Sequence, residues 1–331
     1  MEITEFKEKV EREIGKPTMA TYKNGNHYVA IFPDGTKIQE DIDPNSDHHT
    51  YDFPINFDIK INNRCDGGCP YCHENSTPDG MVVSLIDFAN SKLFKSLHPG
   101  TEMAIGGGNP FESPDLEDFL KIVKKKGIFA NLTVNQRHLR KNFAILKKFI
   151  DEKLVYGIGI SLVKINSEDF TLINQLGDNV VIHLINGLFN FKDIMFLPMK
   201  KVLILGYKDL RRGHNYLKTK PKEIENNQKW LKEYLPKSTG FFKSISFDCL
   251  ALEQLDVKNI FKISSEKWQE LFQGDDTKVH DDEGNITCGT MYIDLPNMQV
   301  ARMSTAPMDK RVKFSYDETI EDLFKKSIEG W

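Results

Sequence analysis

The sequence has 331 residues, of which 40% are hydrophobic and 28% are charged, and its net charge is −4. This composition allows one large domain with extensions or two modest domains, and it excludes a strongly basic nucleic-acid coat. Five cysteines in so long a chain exclude a disulfide framework, and the lack of a signal segment or membrane-length apolar stretch predicts a cytoplasmic protein.

Residues 1–50 are predicted to form a small α+β appendage. Four apolar residues are spaced for one face of a first helix: Ile3, Phe6, Val10 and Ile14. Gly15 follows at the position of a C-cap, and turn signals at 23–26 and 33–36 then separate short stretches typical of an antiparallel meander. The polar, proline-containing segment 41–54 is interpreted as a linker.

From residue 55 the pattern changes to alternating strands and helices. The predicted strands cover residues 55–62, 101–108, 128–135, 155–163, 179–186, 201–207 and 243–250. The predicted helices cover 84–97, 114–126 with Ser113 as N-cap, 138–151, 167–176, a short turn at 191–197, and 221–235. Repeated units of this kind form a parallel sheet covered by helices, so we expect a partial (β/α)6 TIM-like barrel over residues 51–250.

Residues 251–331 interrupt this alternation. A helix is predicted over 264–272, a hairpin over 289–305 that turns at Pro296–Asn297, and an amphipathic helix over 317–330. We interpret this region as a cap or an edge extension of the barrel rather than an independent domain.

Three of the five cysteines, Cys65, Cys69 and Cys72, lie within eight residues. Thiolates bind zinc or iron–sulfur clusters. A structural zinc site would need a fourth ligand: His73 directly follows Cys72, and adjacent side chains seldom converge on one ion, although Cys249 or Cys288 could be recruited. Three thiolates can instead hold three corners of a 4Fe–4S cluster and leave the fourth iron open, as in catalytic metal sites.

The segment CDGGCPYC (65–72) resembles the signature loop of the radical S-adenosylmethionine (SAM) enzymes, C-x3-C-x-aromatic-C, with Tyr71 at the aromatic position. The resemblance covers roughly residues 52–250. It implies a cluster held by the three cysteines, with SAM on the open iron. Reductive cleavage of SAM then gives a 5′-deoxyadenosyl radical that abstracts a hydrogen atom from the substrate. It also implies an electron donor such as flavodoxin or ferredoxin. Two remaining cysteines are too few for an auxiliary cluster, so a single cluster is predicted.

The same resemblance predicts SAM-binding residues at the strand ends. Gly107, Gly108 and Asn109, followed by Pro110, match the family's Gly-Gly-Glu-Pro turn, but Asn109 brings no negative charge to the SAM amino group. Further predicted cofactor contacts are Tyr71, Asn135, Ser161, His183 and Asn186. The alternative for the strand-end residues is an ordinary polar residue in a βα loop.

Two other groups are candidates for the substrate chemistry. Cys249, at the end of the last predicted strand, is a candidate hydrogen-atom donor or methyl carrier, although both it and Cys288 could simply be small buried side chains. The loop after the sixth strand offers Tyr207, Lys208 and Arg211 as substrate contacts, with Arg212 and His214 beside them. The alternative is a solvated basic loop.

The sequence leaves the substrate open. A peptide or protein is favoured, and the N-terminal meander could offer it an edge strand. A nucleotide or nucleic acid is the alternative, but the acidic chain makes bulk nucleic-acid binding less favourable. An interpretation of another class is a non-enzymatic binding protein that zinc or a cluster merely staples together.

Overall fold

A computed structural model describes residues 2–46, 48–190, 200–272, 279–329 and 331. The strands are β1 (Ala20–Asn24), β2 (His27–Ile31), β3 (Lys37–Asp41), β4 (Asn56–Asn62), β5 (Glu102–Gly107), β6 (Phe129–Asn135), β7 (Gly157–Ser161), β8 (Val180–Ile185), β9 (Lys201–Leu205), β10 (Ser244–Phe247), β11 (Thr290–Asp294), β12 (Gln299–Ala301) and β13 (Val312–Lys313). The helices are α1 (Ile3–Ile14), α2 (Leu85–Asn90), α3 (Lys92–Ser96), α4 (Leu116–Lys125), α5 (Gln136–Asp151), α6 (Ser167–Gln175), α7 (Arg212–Thr219), α8 (Pro221–Tyr234), α9 (Cys249–Leu255), α10 (Val257–Ile260), α11 (Ser265–Phe272) and α12 (Ile320–Ser327).

The N-terminal residues form a helix packed on a three-stranded antiparallel sheet, as the sequence predicts. Phe6 and Val10 are buried, whereas Ile3 and Ile14 at the two ends of α1 remain partly exposed. Gly15 ends the helix with φ of 72°, and its backbone N–H donates to Glu11 O at 2.9 Å. A left-handed C-cap of this kind favours glycine.

The segment after β3, predicted to be a linker, is bound to this small sheet. The Asn24 side chain donates to Phe53 O and accepts from Asp52 N, both at 2.8 Å. Thr50 N donates to Asn26 Oδ1 at 2.7 Å. The side chains of Asn24 and Asn26 in the meander therefore hold the backbone of this segment in place.

The main sheet is open and mostly parallel, with strand order β10-β9-β8-β7-β6-β5-β4-β11-β12-β13. Strands β4 to β10 follow chain order and pair in parallel, which confirms the predicted partial barrel and corresponds to the seven strands predicted over residues 55–250. In the described part of the chain the sheet ends at β10 and β13 and does not close.

The C-terminal region extends this sheet at its first strand. Strand β11 pairs in parallel with β4, and β12 and β13 follow in antiparallel pairing. The hairpin turns between β11 and β12 as predicted. Helix α12 begins with a capping box at Thr319 and buries Leu323 and Phe324 completely. Strand β4, which carries the cysteine loop at its end, is therefore an interior strand.

The outer faces of the strands form the core with the helices. Leu116, Phe119, Leu120 and Val123 of α4 are at most 3% exposed, as predicted from their spacing. Burial of one such side chain stabilises the fold by roughly 1.5–3 kcal/mol. Ser113 does not cap α4: it accepts a hydrogen bond from Asn62 Nδ2 at 2.8 Å, and the helix begins after Asp115.

Two further differences concern the later units. The last strand ends at Phe247, so Cys249 is the first residue of α9 rather than a strand residue. Helix α7 was not predicted, and the short turn predicted at 191–197 lies outside the described residues. In the described part of the chain, none of the helices combines the length and the apolar character needed to cross a membrane.

Candidate functional site

The three-cysteine loop follows β4 at the carboxyl end of the sheet and is fixed at its base by backbone hydrogen bonds. Cys65 N donates to Thr77 O at 2.8 Å, and Thr77 N donates to Asn63 O at 3.1 Å. A tight turn brings Cys72 N to 3.2 Å from Cys69 O. The three thiols are partly buried and are not in disulfides, so all are available as ligands.

Two of the three thiols accept hydrogen bonds. Gly67 N donates to Cys65 Sγ at 3.3 Å, and Asn135 Nδ2 donates to Cys69 Sγ at 3.5 Å. Burial raises the pKa of Cys65, and the nearby Cys69 and Cys72 raise it further. Burial also raises the pKa of Cys69, which the charge of Arg137 opposes. Metal binding would relieve this cost, because a metal stabilises thiolates.

The spacing of the sulfurs distinguishes two kinds of metal group. Sulfurs that share one tetrahedral zinc, with Zn–S near 2.3 Å, lie about 3.8 Å apart. Among the described residues, one ligand atom each from Cys65, Asp66 and His138 lie within 4.8 Å of one another. The sulfurs of the three cysteines do not form such a set. A set of three thiolates on one loop fits an iron–sulfur cluster, because cysteine thiolates are the ligands of such clusters.

The glycine turn after β5 lies directly against the start of the cysteine loop. Gly108 N donates to Asn62 O at 3.0 Å, and Asn109 N donates to Arg64 O at 2.7 Å. A Cβ at Gly107, where φ is 116°, would lie 2.6 Å from Asn62 O, and one at Gly108 would lie 2.2 Å from Arg64 O. Both positions need glycine because the two loops approach so closely.

Two other residues of this turn differ from the pair Gly107 and Gly108. A Cβ at Gly106 would meet open space on the inner face of the sheet. Asn109 is 1% exposed; its Oδ1 accepts from Phe111 N at 3.3 Å and its Nδ2 donates to Glu112 Oε1 at 3.4 Å. The Asn109 side chain thus holds the turn, and Glu112, which the sequence analysis did not single out, lies beside it.

Three predicted residues stand side by side on neighbouring strands. Asn135 pairs with Ser161, and Ser161 pairs with His183, in the parallel register of β6, β7 and β8. The His183 ring fills the space above Gly159, where a Cβ would lie 2.2 Å from His183 Cε1. Burial and the nearby charge of Lys208 lower the pKa of His183 to about 4, so its imidazole is neutral at pH 7.

The predicted residues Asn186 and Tyr207 are tied to each other through α9. Gln254 Oε1 accepts from Asn186 Nδ2 at 3.1 Å and from Tyr207 N at 2.8 Å. The hydroxyl of Tyr207 donates to Gly213 O at 2.8 Å. Both side chains are buried, and the structure shows them holding the loops that follow β8 and β9.

The basic loop after β9 binds the far side of the cysteine loop. Arg211 Nη1 donates to His73 O at 2.7 Å, and Arg212 Nη2 donates to Ser76 O at 2.5 Å. Lys208 Nζ donates to Ser304 Oγ at 2.9 Å and lies 3.4 Å from His73 Nε2. The two arginines clamp the backbone of the cysteine loop, while Lys208 links it to the C-terminal region.

A buried group of charges beneath the loop was missed by the sequence analysis. Lys60 Nζ lies 2.7 Å from Glu74 Oε2 and 3.5 Å from Asp294 Oδ2, and all three side chains are at most 8% exposed. Burial alone would raise the pKa of Glu74, but His73 and Lys60 lower it below its usual range. Two features of the sequence could have predicted this group: Lys60 has an inward position in an alternating strand, and the acidic Glu74 lies two residues after Cys72.

Comparison with characterised proteins gives one sequence relative. No protein-family model matches the chain. A stretch of 124 residues is 27% identical to the antilisterial bacteriocin subtilosin biosynthesis protein AlbA of Bacillus subtilis (strain 168). It makes up 37% of this chain and 27% of AlbA, so the chain matches about a quarter of that protein's length.

Solved structures share the fold over most of the chain. Streptococcus suis SuiB bound to the precursor peptide SuiA matches with a TM-score of 0.52 and 13% identity, over 83% of this chain and 65% of SuiB. SuiB bound to S-adenosylmethionine has a TM-score of 0.54 and 13% identity, over 84% and 67%. The native anSMEcpe structure with bound AdoMet and Cp18Cys peptide has a TM-score of 0.52 and 14% identity, over 82% and 81%.

Proposed function

We propose that this chain is a radical SAM enzyme that uses a 4Fe–4S cluster and SAM to modify a peptide or protein. One observation carries the proposal: a loop with three free, partly buried thiols begins directly against a glycine turn at the carboxyl end of the sheet. Ligand sites of barrels occupy this end.

In this proposal Cys65, Cys69 and Cys72 would hold the cluster, and the glycine turn at residues 106–108 would adjoin bound SAM. When bound, these groups supply reductive cleavage of SAM to a 5′-deoxyadenosyl radical, which removes a hydrogen atom from the substrate. Tyr71, Gly107, Gly108, Asn135, Ser161 and His183 are the proposed SAM contacts. Asn109 and Asn186 contribute by positioning the loops that their side chains hold.

The chain's own residues keep this site ordered and shielded. Arg211 and Arg212 fix the backbone just after Cys72, and Lys208 joins the loop to Ser304 of the C-terminal region. These contacts cover the cysteine loop with protein, which limits access of water to reactive intermediates. Cys249 begins α9 directly after β10 and remains the proposed hydrogen-atom donor.

A peptide substrate is supported by what the relatives bind. AlbA is a bacteriocin biosynthesis protein, and the SuiB and anSMEcpe structures contain bound peptides. The inner face of the sheet offers polar groups to such a substrate, because Asp58 of β4 is exposed there near the charge of Lys208. The nucleotide alternative depended on the basic loop, and its two arginines are bound to backbone carbonyls.

The remaining parts of the proposal concern partners and organisation. Residues 1–50 would present an edge strand of their meander to the peptide, residues 51–250 would carry the chemistry, and residues 251–331 would complete the sheet. Flavodoxin or ferredoxin is the proposed electron donor, and the proposed location is the cytoplasm.

The proposal is tested by SAM cleavage. Anaerobically reconstituted protein with dithionite and SAM is expected to form 5′-deoxyadenosine, measured by liquid chromatography and mass spectrometry. Cys65→Ser, Cys69→Ser and Cys72→Ser should each reduce formation to the level of a protein-free control. Cys288→Ser, a buried cysteine outside the loop, should retain it. Wild-type protein that carries iron and sulfide but forms no 5′-deoxyadenosine would refute the proposal.

A further inference from the structure

We infer that the first turn of α5 raises the reduction potential of the iron–sulfur centre, with Asn135, Arg137 and His138 as positioning residues. The inference rests on the proposed function, because it assumes a cluster on the three cysteines. The first turn of α5, which is remote in sequence from the cysteines, would then control how readily the centre accepts an electron.

Three residues in this turn contact the cysteine loop. Asn135, the N-cap of α5, donates from Nδ2 to Cys69 Sγ at 3.5 Å. The Arg137 guanidinium donates to Gly67 O. His138 Nε2 lies 3.6 Å from Cys65 Sγ, and in the tautomer that carries its proton on Nε2 it donates to this sulfur. Two of the three thiols are therefore contacted by side chains of one helical turn.

The contact between His138 and Cys65 is enclosed. His138 is 5% exposed, and its other ring nitrogen, Nδ1, lies 3.5 Å from Asp66 Oδ1. Gly67 passes between the sulfur and the ring: a Cβ there would lie 3.2 Å from Cys65 Sγ and 3.3 Å from His138 Nε2. The glycine after Asp66 thus leaves room for the imidazole to reach the sulfur.

The electrostatic effect has one direction. The N-terminus of a helix carries partial positive charge, and Arg137 adds a full one at the same end. Hydrogen bonds to cluster sulfurs and nearby positive charge stabilise the more negative, reduced state over the oxidised state. Removal of these groups should therefore lower the reduction potential and make the centre harder to reduce.

The test is an EPR-monitored redox titration of anaerobically reconstituted protein without SAM. His138→Leu is expected to lower the equilibrium constant for reduction by about tenfold, which is 59 mV for a one-electron couple. His138→Gln retains an N–H donor and should restore part of the difference. Arg137→Gln should shift the potential in the same direction as His138→Leu.

The matched control for Arg137→Gln is Arg140→Gln, which makes the same chemical change elsewhere on α5. Arg140 pairs with Glu168 and Asp169, at 2.6 Å each, instead of the cysteine loop. Its variant should keep the wild-type potential. Asn135→Ser retains an oxygen for the N-cap, removes the amide donor to Cys69 and adds no charge. It therefore tests the same inference if His138→Leu fails to fold.

Each outcome decides a separate question. If the loaded Arg137→Gln, His138→Leu and Asn135→Ser proteins have the wild-type potential, the inference is wrong and the proposed function stands. If His138→Leu and His138→Gln both lose iron while the other variants keep it, His138 is a ligand and the inference is again wrong. If the wild-type protein takes up no iron and sulfide, the proposed function itself fails.

Discussion

The glycines at residues 106–108 show how one residue type serves two purposes within a single turn. Gly107 and Gly108 lie where the backbone leading into the cysteine loop leaves no space for a side chain. Gly106 instead faces open space on the inner face. The sequence predicts a glycine-dependent turn here, but it assigns the dependence to the cofactor, because the neighbouring backbone that also requires it is more than 40 residues away in the chain.

The buried side chain of His27 makes the stability of the N-terminal unit depend on pH. The imidazole is fully buried and stacks on His49 with ring centroids 4.3 Å apart. Burial and the neighbouring His49 lower the pKa of His27 to about 3, whereas the unfolded chain has a pKa near 6.5. The neutral form is favoured on folding, so this stabilisation is present above pH 6.5 and is lost as the pH falls towards 3.

We therefore expect His27→Phe, which keeps an aromatic ring but cannot take up a proton, to flatten the response to acid. Between pH 7.5 and 5.5 the wild-type protein should lose about 1.4 kcal/mol more unfolding free energy than the variant. Urea denaturation of both proteins at the two pH values measures the difference. Equal losses would show that His27 is not held neutral in the folded protein.

The strands and helices differ in how far sequence alone predicts them. The β4–β10 alternation and the buried stripe of α4 follow from local periodicity and were predicted correctly. The place of the β11–β12 hairpin beside β4 was not, because that pairing joins segments more than 200 residues apart. Ser113 was predicted as a helix cap from the local pattern, but its hydroxyl oxygen accepts a hydrogen bond from Asn62 of the distant strand β4 instead.

The elements β4, β11 and the cysteine loop are joined by the buried group of Lys60, Glu74 and Asp294. Lys60→Met would leave two buried carboxylates without their shared cation, and breaking a buried pair in this way costs about 3–5 kcal/mol. Thermal or urea unfolding measures the loss. Residual contacts of Glu74 with Tyr292 and of Asp294 with Asn297 place the expected value near the lower limit.

Lys147→Met is the matched control for that substitution. Lys147 pairs with Asp151 at 2.6 Å on the exposed face of α5, where an ion pair contributes less than about 0.5 kcal/mol. If Lys60→Met destabilises the protein no more than Lys147→Met does, the buried group does not join these elements energetically.

Across the whole molecule, the site combines features that were predictable with features that were not. The cysteine loop was located from its spacing, and the glycine turn and the positions of Asn135, Ser161 and His183 on neighbouring strands were located from the family resemblance and the strand alternation. The contacts of α5 with the loop and the buried charges were not, since they span 73 residues from Cys65 to His138 and 234 from Lys60 to Asp294. Such contacts depend on how the sheet curves and not on any local pattern.

Metal and sulfide analysis of protein purified anaerobically and reconstituted tests the central claim most directly. A three-cysteine site for a 4Fe–4S cluster predicts about four irons and four acid-labile sulfides per chain, lost together in Cys69→Ser. It also predicts that SAM changes the EPR spectrum of the reduced wild-type protein, because one iron lacks a protein ligand. One zinc per chain with no sulfide, whether the protein is purified in air or anaerobically, would contradict the account.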